Sequence, residues 1–116
     1  MSLNVAYVDD EVGICQMFID NFASDTIQIT TYTDPRKFLV DAEILDFDLI
    51  VLDYRLPYMN GDEIAKVLGN EVPKILISGD LTINLQQTYL RTLTKPFNLS
   101  ELEALLNDLA SRKGAV

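Results

Sequence analysis

Two stretches of the chain are apolar almost without interruption: "LIVLD" from Leu49 and "KILIS" from Lys74. Runs of this length and composition suit strands covered on both faces. "NVAYV" (Asn4–Val8) reads as another strand, and "IQITTY" from Ile27 alternates as a half-exposed edge strand does. "RTLT" from Arg91 is a weak last strand. Between these runs the period changes. "EVGICQMFIDNF" sets Ile14, Phe18 and Phe22 four apart on one helical face. Asp34–Pro35 pairs an N-cap with proline at the first helical position, opening a short helix that carries Phe38, Leu39 and Ala42. "GDEIAKVLG" forms a helix with Gly69 near its end. "NLSELEALLNDLASRK" is the clearest helix, with Asn98 as N-cap and Glu101 three residues on. Leu102, Leu105, Leu106 and Leu109 share one face, and Arg112 and Lys113 sit where the helix dipole favours positive charge. "LTINLQQTYL" offers only a poor, short helix.

The pattern is strand–helix five times, which implies an α/β fold: a parallel sheet with helices on both faces, a three-layer (βα)5 sandwich. Right-handed crossovers leave few topologies. An edge-like second strand and a weak fifth strand should flank the sheet. The order 2-1-3-4-5, the flavodoxin-like arrangement, places them there.

Composition narrows the class. The 116 residues suffice for one domain and one core, so residues 1–116 are taken as a single domain. No apolar run approaches the roughly 20 residues needed to cross a bilayer, and no basic–apolar signal segment precedes the first strand. A net charge of −9 argues against direct contact with nucleic acid or anionic lipid. The single cysteine, Cys15, lies among apolar residues and excludes an internal disulfide, so the cytoplasm is the expected compartment. Without histidine, zinc sites and histidine-based acid–base chemistry are not expected. Any phosphohistidine must belong to a partner.

In such a sheet ligands bind beyond the carboxyl ends of the strands, near the switch between strands 1 and 3. There the sequence places Asp9 and Asp10 after strand 1, Asp53 after strand 3, Ser78 after strand 4 and Lys95–Pro96 after strand 5. Taken singly, Asp9 and Asp10 could cap a helix, Asp53 could form a turn, and Ser78 and Lys95 could be loop residues. Together they form three carboxylates that repel one another unless a cation neutralises them. Mg²⁺ (or Mn²⁺) suits oxygen ligands where phosphate is handled. A carboxylate nucleophile, a metal, a lysine and a hydroxyl compose a site for phosphoryl transfer.

Four segments in order, "YVDDE" (Tyr7–Glu11), "LIVLDYRLPYMNG" (Leu49–Gly61), "ILISGD" (Ile75–Asp80) and "TKPF" (Thr94–Phe97), resemble the receiver domain of bacterial two-component response regulators over essentially the whole chain. The resemblance implies that Asp53 accepts a phosphoryl group from a histidine of a sensor kinase or phosphotransfer protein. It implies that Asp10, Asp53 and the backbone carbonyl of Arg55 bind Mg²⁺, that Asp9 assists through water, that Lys95 pairs with the phosphoryl oxygens and that Ser78 reports their presence. It also implies a cis Lys95–Pro96 peptide, and an output domain or docking protein downstream.

Two features depart from that family. Thr92 stands where many receivers carry an aromatic residue that couples to the hydroxyl switch; Tyr89 is the remaining candidate for that part. Only sixteen residues, Gly79 to Thr94, separate Ser78 from Lys95, so the fourth helix should be shortened or irregular and the face often used for dimerisation altered. Arg55 and Asp80 each lie two residues beyond a site residue, and an ion pair between them across the mouth of the site is expected to slow dephosphorylation. Two other readings stand beside this one. The chain could be a docking module of the same fold whose phosphorylation is vestigial, and it could be either self-contained or a piece of a longer regulator. A Mg²⁺ phosphohydrolase with an aspartyl nucleophile usually separates its two acids by one residue, whereas Asp9 and Asp10 are adjacent.

Overall fold

The computed structural model describes residues 2–79 and 83–114. In chain order its elements are β1 (Leu3–Val8), α1 (Val12–Phe22), β2 (Ile27–Tyr32), α2 (Pro35–Ala42), β3 (Leu49–Asp53), α3 (Gly61–Leu68), β4 (Lys74–Ser78), β5 (Arg91–Thr94) and α4 (Leu99–Gly114). The five strands form one parallel sheet in the order β2-β1-β3-β4-β5, as the pattern predicts.

The pleat explains how short strands serve two cores, because successive side chains point to opposite faces. Leu3, Val5 and Tyr7 of β1, Leu49 and Val51 of β3, Ile75 and Ile77 of β4 and Leu93 of β5 face one core. Phe18 and Phe22 of α1 and Leu102 and Leu106 of α4 cover it. Ala6, Val8, Ile50, Leu52 and Leu76 face the other core, covered by Phe38 of α2 and Ile64 and Ala65 of α3. The residues at the four-apart spacing in α1 therefore do face inward, as expected.

Helix ends follow their local chemistry. Asp34 caps α2 by accepting the Arg36 amide at 2.9 Å. Asn98 accepts the Ser100 and Glu101 amides at the start of α4. Gly69 ends α3 with φ +77°, a conformation cheap only for glycine. At the amino end of the sheet, Asp48 accepts the Asn4 amide at 2.7 Å and the Lys113 ammonium at 2.6 Å, tying α4 back to β1.

The expected weak point lies between β4 and β5. Where a shortened or irregular fourth helix is expected, residues 83–90 form no helix. The last helix of the chain, fifth in the predicted pattern, is therefore α4. Residues 83–90 alternate between half-buried and exposed positions, with Ile83, Leu85 and Tyr89 packed against the second core. This is the period of an extended segment. Asp62, in the first turn of α3, holds it there. Its carboxylate accepts the Gln86 amide at 2.8 Å, the Gln87 amide at 3.2 Å and the Tyr89 hydroxyl at 2.5 Å. With no helix along 83–90, Thr92 of β5 stays exposed and borders a cavity of about 160 Å³ with Leu76, Ser78, Ile83 and Leu85.

Candidate functional site at the carboxyl edge of the sheet

Every strand of a parallel sheet ends on the same edge, so the residues that follow β1, β3, β4 and β5 must meet there. Asp9 continues β1, its amide bonded to the Tyr32 carbonyl at 3.0 Å. Asp53 is the last residue of β3 and Ser78 the last of β4; the Lys95 amide donates to the Ser78 carbonyl at 2.9 Å. Carboxylate oxygens of Asp9, Asp10 and Asp53 lie within 4.8 Å of one another. Asp9 and Asp53 are buried, Asp10 is exposed, and Ser78 is buried beside them. The Lys95 ammonium is 3.0 Å from Asp53 Oδ2 and 4.0 Å from Asp9 Oδ2. The Lys95–Pro96 peptide is cis.

Burial raises the pKa of the Asp53 carboxyl, and the nearby charges of Asp9 and Asp10 add to it; the hydrogen bond from Lys95 works in the opposite direction without overcoming them. For Lys95, burial opposes the charged form, but the hydrogen bond and charge of Asp53 outweigh it and raise its pKa. Three oxygen donors converging with an excess of negative charge, in a pocket that one lysine only partly neutralises, fit a hard divalent cation.

The capping role that Asp9 and Asp10 could have had is not what the fold gives them. The N-cap of α1 is Glu11, which makes no side-chain cap hydrogen bond. Asp9 instead accepts the Glu11 amide at 3.0 Å and the Tyr7 hydroxyl at 2.8 Å. Cys15 is buried, as expected, and its thiol donates to the Asp9 carbonyl at 3.2 Å. Burial first, then Asp9 and Asp10, push this thiol up to about 11.

Arg55 is exposed on the loop after β3. Asp80, the other half of the expected gate, lies outside the described residues. Tyr89, the candidate for the missing aromatic, packs against the second core with its hydroxyl bound to Asp62.

Two contributors escaped the sequence reading. Tyr7 is one; its signal is a phenol on a strand face whose other residues, Leu3 and Val5, are aliphatic. The start of α3 is the other. Asn60 and Glu63 form a reciprocal capping box, readable from their three-residue spacing. It seats Gly61 so tightly that an added Cβ would lie 2.6 Å from the Asp53 carbonyl oxygen and 2.8 Å from Leu76 Cδ1.

Comparison with known proteins agrees with this geometry. The CiaR transcriptional regulatory protein of Streptococcus pneumoniae is 28% identical over 120 residues, covering 97% of this chain and 53% of its own length. The cyclic di-GMP phosphodiesterase response regulator RpfG of Xanthomonas campestris is 32% identical over 122 residues, 94% of this chain and 32% of its own length. The chain thus spans about half or less of these relatives. Among solved structures, the Francisella response regulator 1452 receiver domain is 26% identical with a TM-score of 0.80, covering 97% of this chain and 99% of that one. The chemotaxis response regulator CheY4 of Vibrio cholerae is 25% identical with a TM-score of 0.81, covering 94% and 99%. The response regulator receiver domain model matches residues 5–107, and the chain belongs to that family, the receivers of two-component signalling.

Proposed function

We propose that Asp53 is the phosphoryl acceptor of this receiver. The observation that carries this reading is the Lys95 ammonium 3.0 Å from a buried Asp53 oxygen that also faces the Asp9 and Asp10 carboxylates. An Asp53 oxygen attacks the phosphorus of a partner's phosphohistidine; the O–P bond forms, the P–N bond breaks, and its electron pair stays on the imidazole. Lys95 balances charge on the phosphoryl oxygens, and the Ser78 hydroxyl is the nearby donor that registers their arrival. Asp10, Asp53 and the Arg55 carbonyl would hold Mg²⁺ (or Mn²⁺), with Asp9 assisting through water. The cation supplies neutralisation of developing charge. The domain modifies only itself and is not an enzyme acting on an outside metabolite.

The donor is a sensor histidine kinase or phosphotransfer protein, and the signal passes to an output domain or a docking protein. With a net charge of −9, the domain itself is not the reader of nucleic acid and does not bind anionic membranes. Among the described residues no helix is long and apolar enough to cross a membrane. A single buried cysteine kept as a thiol suits a reducing compartment, and we place the domain in the cytoplasm.

Incubation with radiolabelled acetyl phosphate and Mg²⁺ should label the wild type. Asp53→Asn should abolish the label, and chelation should suppress it. Undiminished labelling of D53N would remove Asp53 from this role. Arg55→Ala should speed loss of the label if Arg55 shields the acyl phosphate from water. The alternative, a docking module with vestigial phosphorylation, draws support from the helix-free segment 83–90 and the exposed Thr92. A wild type that takes no label from acetyl phosphate or from a phosphorylated kinase would favour it.

A further inference from the structure

The inward positions of β1 that face the first core are Leu3, Val5 and Tyr7. An aliphatic side chain would fill the third as well as the first two. A phenol carries a hydroxyl into the dry interior, where it is costly unless bonded. Tyr7 is fully buried, and its hydroxyl meets Asp9 Oδ2, equally buried, at 2.8 Å. The phenol cannot drift. Its ring stacks on Phe18 with centroids 4.1 Å apart and planes 13° from parallel, and Phe18 is braced edge-on by Phe22 at 4.8 Å.

Asp9 is thereby held at three points: Oδ2 by Tyr7, Oδ1 by the Glu11 amide, and the backbone carbonyl by the Cys15 thiol. The same Oδ2 is 4.0 Å from the Lys95 ammonium, which instead sits at 3.0 Å on Asp53. Lys95 can approach one acid closely, and the hydroxyl donor already on Asp9 leaves it to the other. Among the described residues no buried side-chain nitrogen or oxygen lacks a partner. If the hydroxyl were removed, the Lys95 ammonium, 4.0 Å from Asp9 Oδ2, would be free to turn to it.

We infer that Tyr7 is a positioning residue of the acidic site: its hydroxyl fixes Asp9 facing the cation position and keeps Lys95 on Asp53. The inference rests on the reading of Asp9, Asp10 and Asp53 as a Mg²⁺ site. Asp9 acts on the cation through water and is itself an outer partner, of the kind whose loss commonly changes metal affinity by about ten- to a hundredfold; Tyr7 acts through Asp9, so losing its hydroxyl should cost only a part of that.

Tyr7→Phe tests it, because the ring and its stack on Phe18 are retained while the hydroxyl is lost. Calorimetric titration with Mg²⁺ should give a Kd raised by about three- to tenfold in Y7F. With ¹³Cζ-labelled tyrosine, the resonance that disappears in Y7F should shift during Mg²⁺ titration of the wild type, saturating at the calorimetric Kd. A hydroxyl serving only the core would not report the cation. A wild type with no measurable Mg²⁺ binding would overturn the metal reading itself. A wild type that binds, joined by a Y7F that binds equally or more tightly, would overturn the role of Tyr7 alone. So would a Tyr7 resonance unmoved by saturating Mg²⁺.

Discussion

Two connections leave the carboxyl edge of the sheet toward the same side, and they are built differently. The loop from Asp53 to α3 runs into a regular helix whose first turn is fixed by its own neighbours, the Asn60–Glu63 capping box. The connection from β4 to β5 has no helix along residues 83–90 and is held by a residue far away in sequence, Asp62. Both meet at the first turn of α3, where the acids Asp62 and Glu63 also suit the positive end of the helix dipole. The comparison shows one helix start serving two purposes. It seats the end of β3 at Asp53 through Gly61, and through Asp62 it supplies the acceptor that backbone hydrogen bonds of a helix would otherwise provide.

The largest effect should come from breaking the second connection. Asp62→Ala removes the acceptor for two amides and a phenol whose hydrogen bonds to it are partly buried. Charge-assisted hydrogen bonds contribute about 1.5–3 kcal/mol each, and donors left unmet add to the loss. We expect destabilisation of about 3 kcal/mol in urea unfolding, with faster amide exchange at Gln86 and Gln87. Acetyl phosphate labelling of Asp53 should persist. A variant as stable as wild type would mean that the apolar contacts of Ile83, Leu85 and Tyr89 hold the segment unaided.

The same contrast explains what the sequence could tell. "LIVLD" and "KILIS" are strands by composition alone, and Asp34–Pro35 and Asn98 mark helix starts by local bonding, so both appear in the fold where expected. The acids, Ser78 and Lys95 converge because parallel strands share an edge, a consequence of topology and not of any one residue. Residues 83–90 were harder to read. Their inward positions, Ile83, Leu85 and Tyr89, follow a period of two, but the polar residues between them, Asn84, Gln86 and Gln87, carry no strand signal, and the stabilising carboxylate is 24 residues from Gln86. Tyr7 was missed for a related reason: its partner Asp9 is two residues on, which signals a shared face only once the strand is known.

The next effect probes the first connection. Gly61→Ala drives a methyl against the Asp53 carbonyl oxygen and Leu76 Cδ1, a contact that backbone must relieve. Overpacking of this kind costs about 1–3 kcal/mol. Because the clash falls on Asp53 itself, labelling should slow as well, which distinguishes this variant from Asp62→Ala. Loss of stability with an unchanged labelling rate would show that α3 moves and β3 does not.

A smaller effect lies on the rim of that loop. Tyr58 adopts φ +72°, an uncommon conformation for a side chain of its size, with the Arg36 guanidinium 3.6 Å above its ring. Arg36 is in turn paired with Asp34 at 2.9 Å. An exposed cation–π contact contributes about 0.5–1 kcal/mol. Arg36→Ala should lower stability by about 1 kcal/mol at most. Tyr58→Gly should be close to neutral, since relief of the backbone offsets the lost stack. A Tyr58→Gly variant as destabilised as Gly61→Ala would show that the stack, and not the capping box, organises the loop.

The smallest effect concerns the charge held in the first connection and absent from the second. Burial, helped by Asp9 and Asp10, raises the Asp53 carboxyl, so the folded chain binds this proton more readily than the unfolded chain. Stability from this group is fully present below the ordinary carboxylate range and is lost as pH rises through the folded value. The Lys95 contribution, from a pKa that Asp53 raises against the pull of burial, is present at neutral pH and is lost only at alkaline pH. Without metal, wild type should therefore gain stability relative to Asp53→Asn as pH falls from 7 toward the ordinary carboxylate range, about 4. Saturating Mg²⁺ should reverse the sign, because binding requires the ionised carboxylates and weakens as they protonate. Urea unfolding of both proteins at the two pH values, with chelator and with Mg²⁺, measures the difference directly. A difference in chelator that does not change with pH would mean that Lys95 neutralises Asp53 completely, leaving the acidic edge no less comfortable than the segment held by Asp62.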